Sequence, residues 1–147
     1  MRTFKPVQIL LVEDNPDDVL ITRRALTRSR VANELHVVRD GKEALDFLNR
    51  REDFGPATPR PDLVLLDVNL PRVNGMEVLE SIRHDDVLSV IPVIMLTASN
   101  REEDIVRSYK LGSNTYIQKP VEFNKFLEAL EVLDQYWIVI ATLPPAA

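Results

Sequence analysis

Short apolar stretches suited to β-strands alternate with helix-like stretches along this chain of 147 residues, and this alternation limits the folds that it can adopt. The strand-like stretches lie at residues 7–12, 34–38, 63–66, 92–96 and 115–117. Three of them are continuously apolar over four residues, as expected of central parallel strands that are covered on both faces. Strictly alternating β-α units predict a doubly wound α/β fold, a five-stranded parallel sheet with helices on both faces. We expect the strand order 2-1-3-4-5.

Local signals mark the ends of the helices. Asn15 is a suitable N-cap for helix 1, Pro16 suits the first helical position, and Asp17 and Asp18 suit the positive first turn. The other predicted helices are a second capped by Asp40, a third opened by Gly75, a fourth over about residues 102–111 that stops at Gly112, and a fifth from about residue 122 to about Trp137. Residues 53–61, which contain a glycine and three prolines, predict a surface loop before strand 3.

Composition excludes several classes of function. The chain has no cysteine, so it can hold neither a disulfide nor a thiolate metal site nor a cysteine nucleophile. It has 18 Lys and Arg residues against 23 Asp and Glu residues, and an acidic surface repels the phosphate backbone of nucleic acids. The stretch before Glu13 has too few apolar residues for a signal peptide or a membrane span, so we expect a cytoplasmic protein that does not bind membranes.

Polar side chains stand where the predicted strands end. Glu13 and Asp14 follow strand 1, Asp67 follows strand 3, Thr97 follows strand 4 and Lys119 lies at the end of strand 5. Doubly wound sheets bind ligands beyond the carboxyl ends of their strands, here at the switch point between strands 1 and 3. Two carboxylates about 4 Å apart repel by about 4 kcal/mol at an effective dielectric constant of about 20, so the predicted cluster of three needs a cation. Oxygen ligands favour a hard ion, and a site that keeps room for water and phosphate favours Mg²⁺ over Ca²⁺.

These groups suit phosphoryl transfer, which depends on positioning and on neutralising the charge of the phosphoryl oxygens. Asp67 can act as a nucleophile that forms an acyl phosphate. The metal can take one phosphoryl oxygen and Lys119 a second, while the Thr97 hydroxyl or a following backbone N–H can take the third. Ala98 is small enough to leave room for the phosphoryl group.

Over residues 7–137 the chain resembles a response regulator receiver domain. The matching segments are LLVEDN at residues 10–15, DLVLLD at 62–67, LPRVNG at 70–75, LTA at 96–98 and YIQKP at 116–120. The resemblance implies a flavodoxin-like fold. It also implies a receiver domain at residues 1–140 and a C-terminal tail at residues 141–147, with no output domain.

The same resemblance implies roles for individual residues. Asp67 would be the phosphoacceptor, assisted in catalysis by Thr97 and Lys119. Asp14, Asp67 and the carbonyl of Asn69 would bind Mg²⁺ directly. Glu13, which stands where many receivers have Asp, would assist through water.

Further features of the family concern switching. Thr97 and Tyr116 would form a pair that changes position on phosphorylation, and Lys119-Pro120 would be a cis peptide that aims the lysine. The chain would assist its own phosphorylation and dephosphorylation without being an enzyme.

His36 and His84 lie outside the acidic site, and we interpret them as ordinary strand and helix-end residues rather than phosphocarriers.

The implied partner is a sensor histidine kinase. The Pro-containing loop at residues 53–61 and the apolar extension at residues 136–144 resemble those of stand-alone regulators paired with bacterial and cyanobacterial phytochromes. Two roles stay open at this point: a terminal regulator that binds a target protein, and an intermediate that passes phosphate to a histidine phosphotransfer protein.

Two other classes fit the sequence poorly. Phosphohydrolases with an aspartate nucleophile have the motif Asp-x-Asp, in which the second aspartate is the general acid. This chain has Asn69 two residues after Asp67, so the usual general acid is missing. A nucleotide or flavin carrier needs a phosphate-binding glycine loop after strand 1, and the four glycines do not form one.

Helix 5 predicts a contact between two copies of the chain. An apolar stripe at 3-4-3-4 spacing can pack on the sheet, and it consists of Phe123, Phe126, Leu130, Leu133 and Trp137. Other apolar residues lie outside it, namely Leu127, Val132, Tyr136, Ile138, Val139, Ile140 and Leu143. A patch of this kind favours a homodimer, although the tail could instead fold back on its own domain.

Overall fold

A computed structural model describes residues 6–28, 32–108 and 115–133. The sheet has five parallel strands, which are β1 (Val7–Val12), β2 (Asn33–Val38), β3 (Leu63–Asp67), β4 (Val93–Thr97) and β5 (Thr115–Gln118). The α-helices are α1 (Pro16–Arg28), α2 (Gly41–Asn49), α3 (Gly75–Arg83), α4 (Asn100–Ser108) and α5 (Phe123–Val132), with a 3₁₀ turn at Leu88–Val90. The strand order is β2-β1-β3-β4-β5, so the predicted doubly wound fold and its order are confirmed.

The central strands are buried on both faces because each face of the sheet carries its own layer of helices. Along β3, Val64 and Leu66 pack with α2, α3 and α4, while Leu63 and Leu65 pack with α1 and α5. All four of these side chains are fully buried. Burial of one such side chain stabilises the fold by about 1.5–3 kcal/mol, which explains the continuous apolar runs in the sequence.

Side-chain caps set the starts of the helices. Asn15 Oδ1 accepts the N–H groups of Asp17 and Asp18 at 2.9 and 3.2 Å, and Asp40 Oδ1 accepts that of Glu43 at 2.8 Å, both as predicted. Helix α4 begins at Asn100, slightly before the predicted start. The predicted end of α4 at Gly112 and that of α5 near Trp137 lie outside the described residues.

The apolar stripe of α5 packs on the sheet as predicted. Phe126 and Leu130 are buried, and Phe123 and Leu133 are half-buried against the same core. Leu127 also packs against this core and is half-buried, so less of it is exposed than the patch expectation assumes.

The segment before β3 is the loop that the sequence predicts. Residues 53–61 contain turns but neither helix nor strand. Among the described residues, no helix has the length and apolar character needed to cross a membrane.

Candidate functional site

The acidic residues meet because β1 and β3 are hydrogen-bonded neighbours. Val12 lies opposite Leu66, so Glu13 and Asp67 follow in adjacent positions at the edge of the sheet. Carboxylate oxygens of Glu13, Asp14 and Asp67 all lie within 4.8 Å of one another. Glu13 and Asp67 are buried, whereas Asp14 is exposed. The structure therefore brings together all three carboxylates that the sequence places at strand ends.

Lys119 reaches into this cluster from the end of β5. Its Nζ lies 3.0 Å from Glu13 Oε1, 3.2 Å from Asp67 Oδ2 and 3.1 Å from Asp18 Oδ2. An ammonium group has three N–H donors, and these three carboxylates can use all of them. The Lys119 backbone N–H donates to the Thr97 carbonyl at 2.7 Å, and the Lys119-Pro120 peptide is cis.

Burial and crowding of charge shift the pKa values of two groups. Burial raises the pKa of Glu13 to about 7, with a further contribution from Asp67, and the opposing effect of Lys119 is smaller. Burial alone would lower the pKa of Lys119, but its hydrogen bond to Glu13 and the charges of Asp67 and Glu13 raise it above its ordinary value. Lys119 therefore stays an ammonium. Its single positive charge does not neutralise all the carboxylates around it.

This charge balance fits a divalent cation. Glu13, Asp14 and Asp67 offer only oxygen ligands, and their spacing allows one ion to contact several of them. Asn69 lies close to the cluster. Its backbone N–H donates to Asp67 Oδ1 at 3.3 Å. The donor set is that of a hard ion.

Gly75 allows the chain to turn sharply behind Asp67. A Cβ atom at Gly75 would lie 2.0 Å from the Asp67 carbonyl oxygen and 2.8 Å from Val68 Cα. The Gly75 N–H also donates to the Val68 carbonyl at 2.9 Å. Only glycine permits this close approach, which ties the start of α3 to the backbone that carries Asp67.

Thr97 and Tyr116 lie on β4 and β5, which are adjacent strands. Thr97 is fully buried, and its hydroxyl donates to the Ile117 carbonyl at 3.4 Å. Tyr116 is half-buried, and its hydroxyl oxygen accepts an N–H of Arg107 at 2.6 Å. The Arg107 guanidinium also lies 5.6 Å from the centroid of the Tyr116 ring and pairs with Asp104.

Two residues at this edge have contacts that the sequence did not predict. Asp18 was expected to favour the start of α1, yet it also binds Lys119. Glu102 Oε1 accepts the Ala98 N–H at 3.2 Å, while the Glu102 N–H donates to Ser99 Oγ at 3.3 Å. The Ser-x-x-Glu spacing of a capping box is the sequence signal that could have revealed Glu102. No sequence signal indicated the contact of Asp18.

The two histidines lie away from the acidic cluster. His36 is on the edge strand β2, where its Nε2 lies 2.7 Å from Gln8 Oε1 and its ring packs near that of Phe47. His84 follows the last residue of α3 and bonds to that helix through its backbone N–H.

The fold and the site together define a doubly wound α/β protein with a cluster of carboxylates and one lysine at the switch point of its sheet, where a cation could bind. The sequence pattern of the response regulator receiver domain matches residues 9–131, and the chain belongs to that family. Receiver domains of this family act in two-component phosphorelay signalling together with sensor histidine kinases.

Several relatives are similar over most of their length. Response regulator Rcp1 of Synechocystis sp. is 38% identical over 141 residues, covering 96% of this chain and 95% of Rcp1. A structure of the Mn(2+)-bound form of Rcp1 has a TM-score of 0.74 at 37% identity, covering 95% of this chain and all of that one.

Two solved structures come from phytochrome systems. The bacteriophytochrome response regulator AtBRR has a TM-score of 0.85 at 48% identity, covering 90% of this chain and 96% of AtBRR. The phosphorylated cyanobacterial phytochrome response regulator RcpA has a TM-score of 0.75 at 40% identity, covering 96% of this chain and all of RcpA. Regulators of phytochrome systems are thus among the relatives of this chain.

Proposed function

We propose that Asp67 accepts a phosphoryl group from a sensor histidine kinase in a reaction that requires Mg²⁺. The observation that carries this proposal is the position of Asp67. One of its oxygens lies 3.2 Å from the Lys119 ammonium, and its carboxylate lies within 4.8 Å of those of Glu13 and Asp14. A nucleophile, a cationic side chain and a set of ligands for a hard cation therefore occupy one edge of the sheet.

In the proposed reaction an Asp67 oxygen forms a bond to phosphorus. The bond between phosphorus and the imidazole nitrogen of the kinase breaks, and that nitrogen keeps the electron pair. Lys119 neutralises one phosphoryl oxygen, and the Thr97 hydroxyl or the Ala98 N–H takes another. In the structure the Ala98 N–H donates to the Glu102 carboxylate, so this carboxylate has to move if Ala98 is the donor to the phosphoryl group.

Mg²⁺ would be held by Asp14, Asp67 and the Asn69 carbonyl, with Glu13 assisting through water. When bound, the ion supplies positive charge to the phosphoryl oxygens. The Mn(2+)-bound form of the relative Rcp1 supports the binding of a divalent ion by this chain. Mg²⁺ also suits an acidic site that keeps room for water and phosphate.

The proposed partner is a phytochrome-type histidine kinase, so the signal would be light. Similarity to AtBRR and to the phosphorylated form of RcpA supports this assignment. We propose that the chain acts as a phosphoacceptor that assists its own phosphorylation and dephosphorylation, not as an enzyme with a separate substrate. We also propose that phosphorylation switches Thr97 and Tyr116 between two positions, and that the chain forms a homodimer through α5 and the tail.

Replacement of the phosphoacceptor tests the main proposal. Asp67→Asn should abolish labelling by a ³²P-phosphorylated phytochrome kinase, because an amide cannot form the acyl phosphate. Chelation of Mg²⁺ should abolish labelling of the natural chain as well. Asp53→Asn, which removes an exposed carboxylate from the loop before β3, is the matched control and should be labelled normally. Undiminished labelling of Asp67→Asn, with circular dichroism showing an intact fold, would refute the assignment.

A further inference from the structure

Asp18 differs from the other carboxylates that contact Lys119. Its Oδ2 lies 3.1 Å from the Lys119 ammonium, and its side chain is 26% exposed, compared with 1% for Glu13 and 4% for Asp67. Glu13 and Asp67 belong to the group of three carboxylates whose oxygens lie within 4.8 Å of one another, together with Asp14. Asp18 lies outside that group. It approaches Lys119 from the first turn of α1.

This difference matters when a divalent cation binds. A cation held by the group of three neutralises negative charge of Glu13 and Asp67, and these are two of the three carboxylates around Lys119. The same cation also repels the ammonium group, because both carry positive charge. The Asp18 carboxylate is then the partner whose charge remains available to Lys119.

We propose that Asp18 is a positioning residue that keeps the Lys119 ammonium beside Asp67 when a divalent cation is bound. The lysine is thereby placed to meet an incoming phosphoryl oxygen, a step that rests on the proposed function of Asp67. Asp18 acts through Lys119 and touches neither the cation nor the reacting atoms.

The neighbouring residue provides a matched control. Asp17 and Asp18 lie in the same first turn of α1, and the backbone N–H of each donates to Asn15 Oδ1. Asp17 is exposed, whereas Asp18 is partly buried and reaches Lys119. Asp17→Asn and Asp18→Asn therefore remove the same charge from the same helix end, and only the second removes the charged partner of Lys119.

The first measurement follows the lysine itself. In protein labelled with ¹⁵N-lysine, the Lys119 ammonium signal should remain visible in the natural chain and in Asp17→Asn when Mg²⁺ is added to saturation. In Asp18→Asn that signal should be lost on adding Mg²⁺, because the ammonium moves into water and exchanges its protons. A signal that persists in Asp18→Asn would overturn the proposal. This readout needs no phosphorylation, so it stands even if the proposed function of Asp67 fails.

The second measurement follows phosphorylation by acetyl phosphate with Mg²⁺ present, read on a phosphate-affinity gel. Asp18→Asn should slow labelling by about tenfold relative to Asp17→Asn, the value expected for loss of a charge-assisted hydrogen bond. In a Lys119→Ala background the same substitution should have no further effect. Equal rates for Asp18→Asn and Asp17→Asn, a faster rate for Asp18→Asn, or a tenfold loss that persists without Lys119 would each overturn the proposal. Failure of the natural chain to be labelled would count against the proposed function instead.

Discussion

Arg107 is the side chain that holds Tyr116 in the described state. It donates a hydrogen bond to the Tyr116 hydroxyl at 2.6 Å, and its guanidinium lies 5.6 Å from the centroid of the ring. Tyr116 itself packs against the core that contains α3 and α4. If phosphorylation draws Thr97 toward the phosphoryl group and Tyr116 inward, the contact with Arg107 has to be given up. A contact made in only one of two states biases the equilibrium toward that state.

Removal of Arg107 should therefore favour the active state. We expect Arg107→Ala to bind beryllofluoride, an analogue of the phosphoryl group, about two- to fivefold more tightly, because an exposed contact of this kind contributes about 0.5–1 kcal/mol. Titration followed by NMR measures the affinity. Arg101→Ala removes an exposed arginine from the first turn of the same helix and should leave the affinity unchanged. Equal affinities for the two variants would show that Arg107 does not restrain Tyr116.

Single residues differ in how far the sequence reveals them. Asp14, Asp67 and Lys119 could be placed together because parallel strands bring their carboxyl ends to one edge of a sheet. Asp18 could not, since an acidic residue in a first helical turn already has an explanation in the helix dipole. Which way its side chain points depends on how α1 lies against the sheet, and residue spacing does not give that.

The N-terminus of α2 joins two elements at the site edge of the sheet. Asp40 Oδ1 caps the helix through the Glu43 N–H, and Asp40 Oδ2 accepts two hydrogen bonds from Arg72 at 2.8 and 3.0 Å. Arg72 belongs to the loop between β3 and α3 and has a φ of 66°, in the left-handed region. The cap of α2 thus also anchors the loop that follows Asp67.

Loss of this cap should destabilise the fold. Asp40→Ala should lower the free energy of unfolding at pH 7 by about 1–2 kcal/mol, which combines the loss of an N-cap with that of a weaker exposed ion pair. Asp40→Asn should cost less, because asparagine caps helices as well as aspartate does and only the ion pair is lost. Urea denaturation measures both. If Asp40→Ala had the same free energy of unfolding as the natural chain, the role of the cap would be contradicted.

The pH dependence of these variants follows from the pKa of Asp40. Burial opposes ionisation, but hydrogen bonds from the Glu43 N–H and from Arg72 lower the pKa of Asp40 below its ordinary value. A carboxylate with a lowered pKa stabilises the fold above its unfolded pKa of about 3.9, and this stabilisation is lost as the pH falls through the folded pKa. The difference between the natural chain and Asp40→Asn should therefore close below about pH 4.

Element boundaries were predictable where a cap residue marked them. Asp40 and Asn15 cap helices as predicted from the sequence. Helix α3 begins at Gly75 as predicted, but its cap is Asn74, whose Oδ1 accepts the Glu77 N–H at 3.0 Å. Helix α4 starts earlier than predicted because Ser99 caps it. Apolar periodicity did not reveal this start, since the first turn of α4 is polar.

The topology of the whole molecule was the most predictable property. Continuous apolar runs identify strands buried on both faces, and right-handed crossovers leave few ways to order them. Assembly is harder to predict, because it depends on which apolar residues stay exposed after folding. Of the α5 residues that the sequence assigned to a patch, Leu127 packs on the core, whereas Val132 is 68% exposed.

A homodimer through α5 and the tail remains a prediction. The inner face of α5 is used by its own sheet, so Val132 and the apolar residues at 136–143, which lie outside the described residues, would form the contact. At tens of micromolar we expect light scattering to give twice the chain mass of 16.8 kDa, and deletion of residues 138–147 should give a monomer. Val132→Lys should weaken the dimer, because a charge in an apolar contact is costly to bury. Val90→Lys, at a valine that is 80% exposed in the 3₁₀ turn, should not. A monomeric full-length chain would end this proposal, and a truncated chain that still dimerises would place the contact elsewhere.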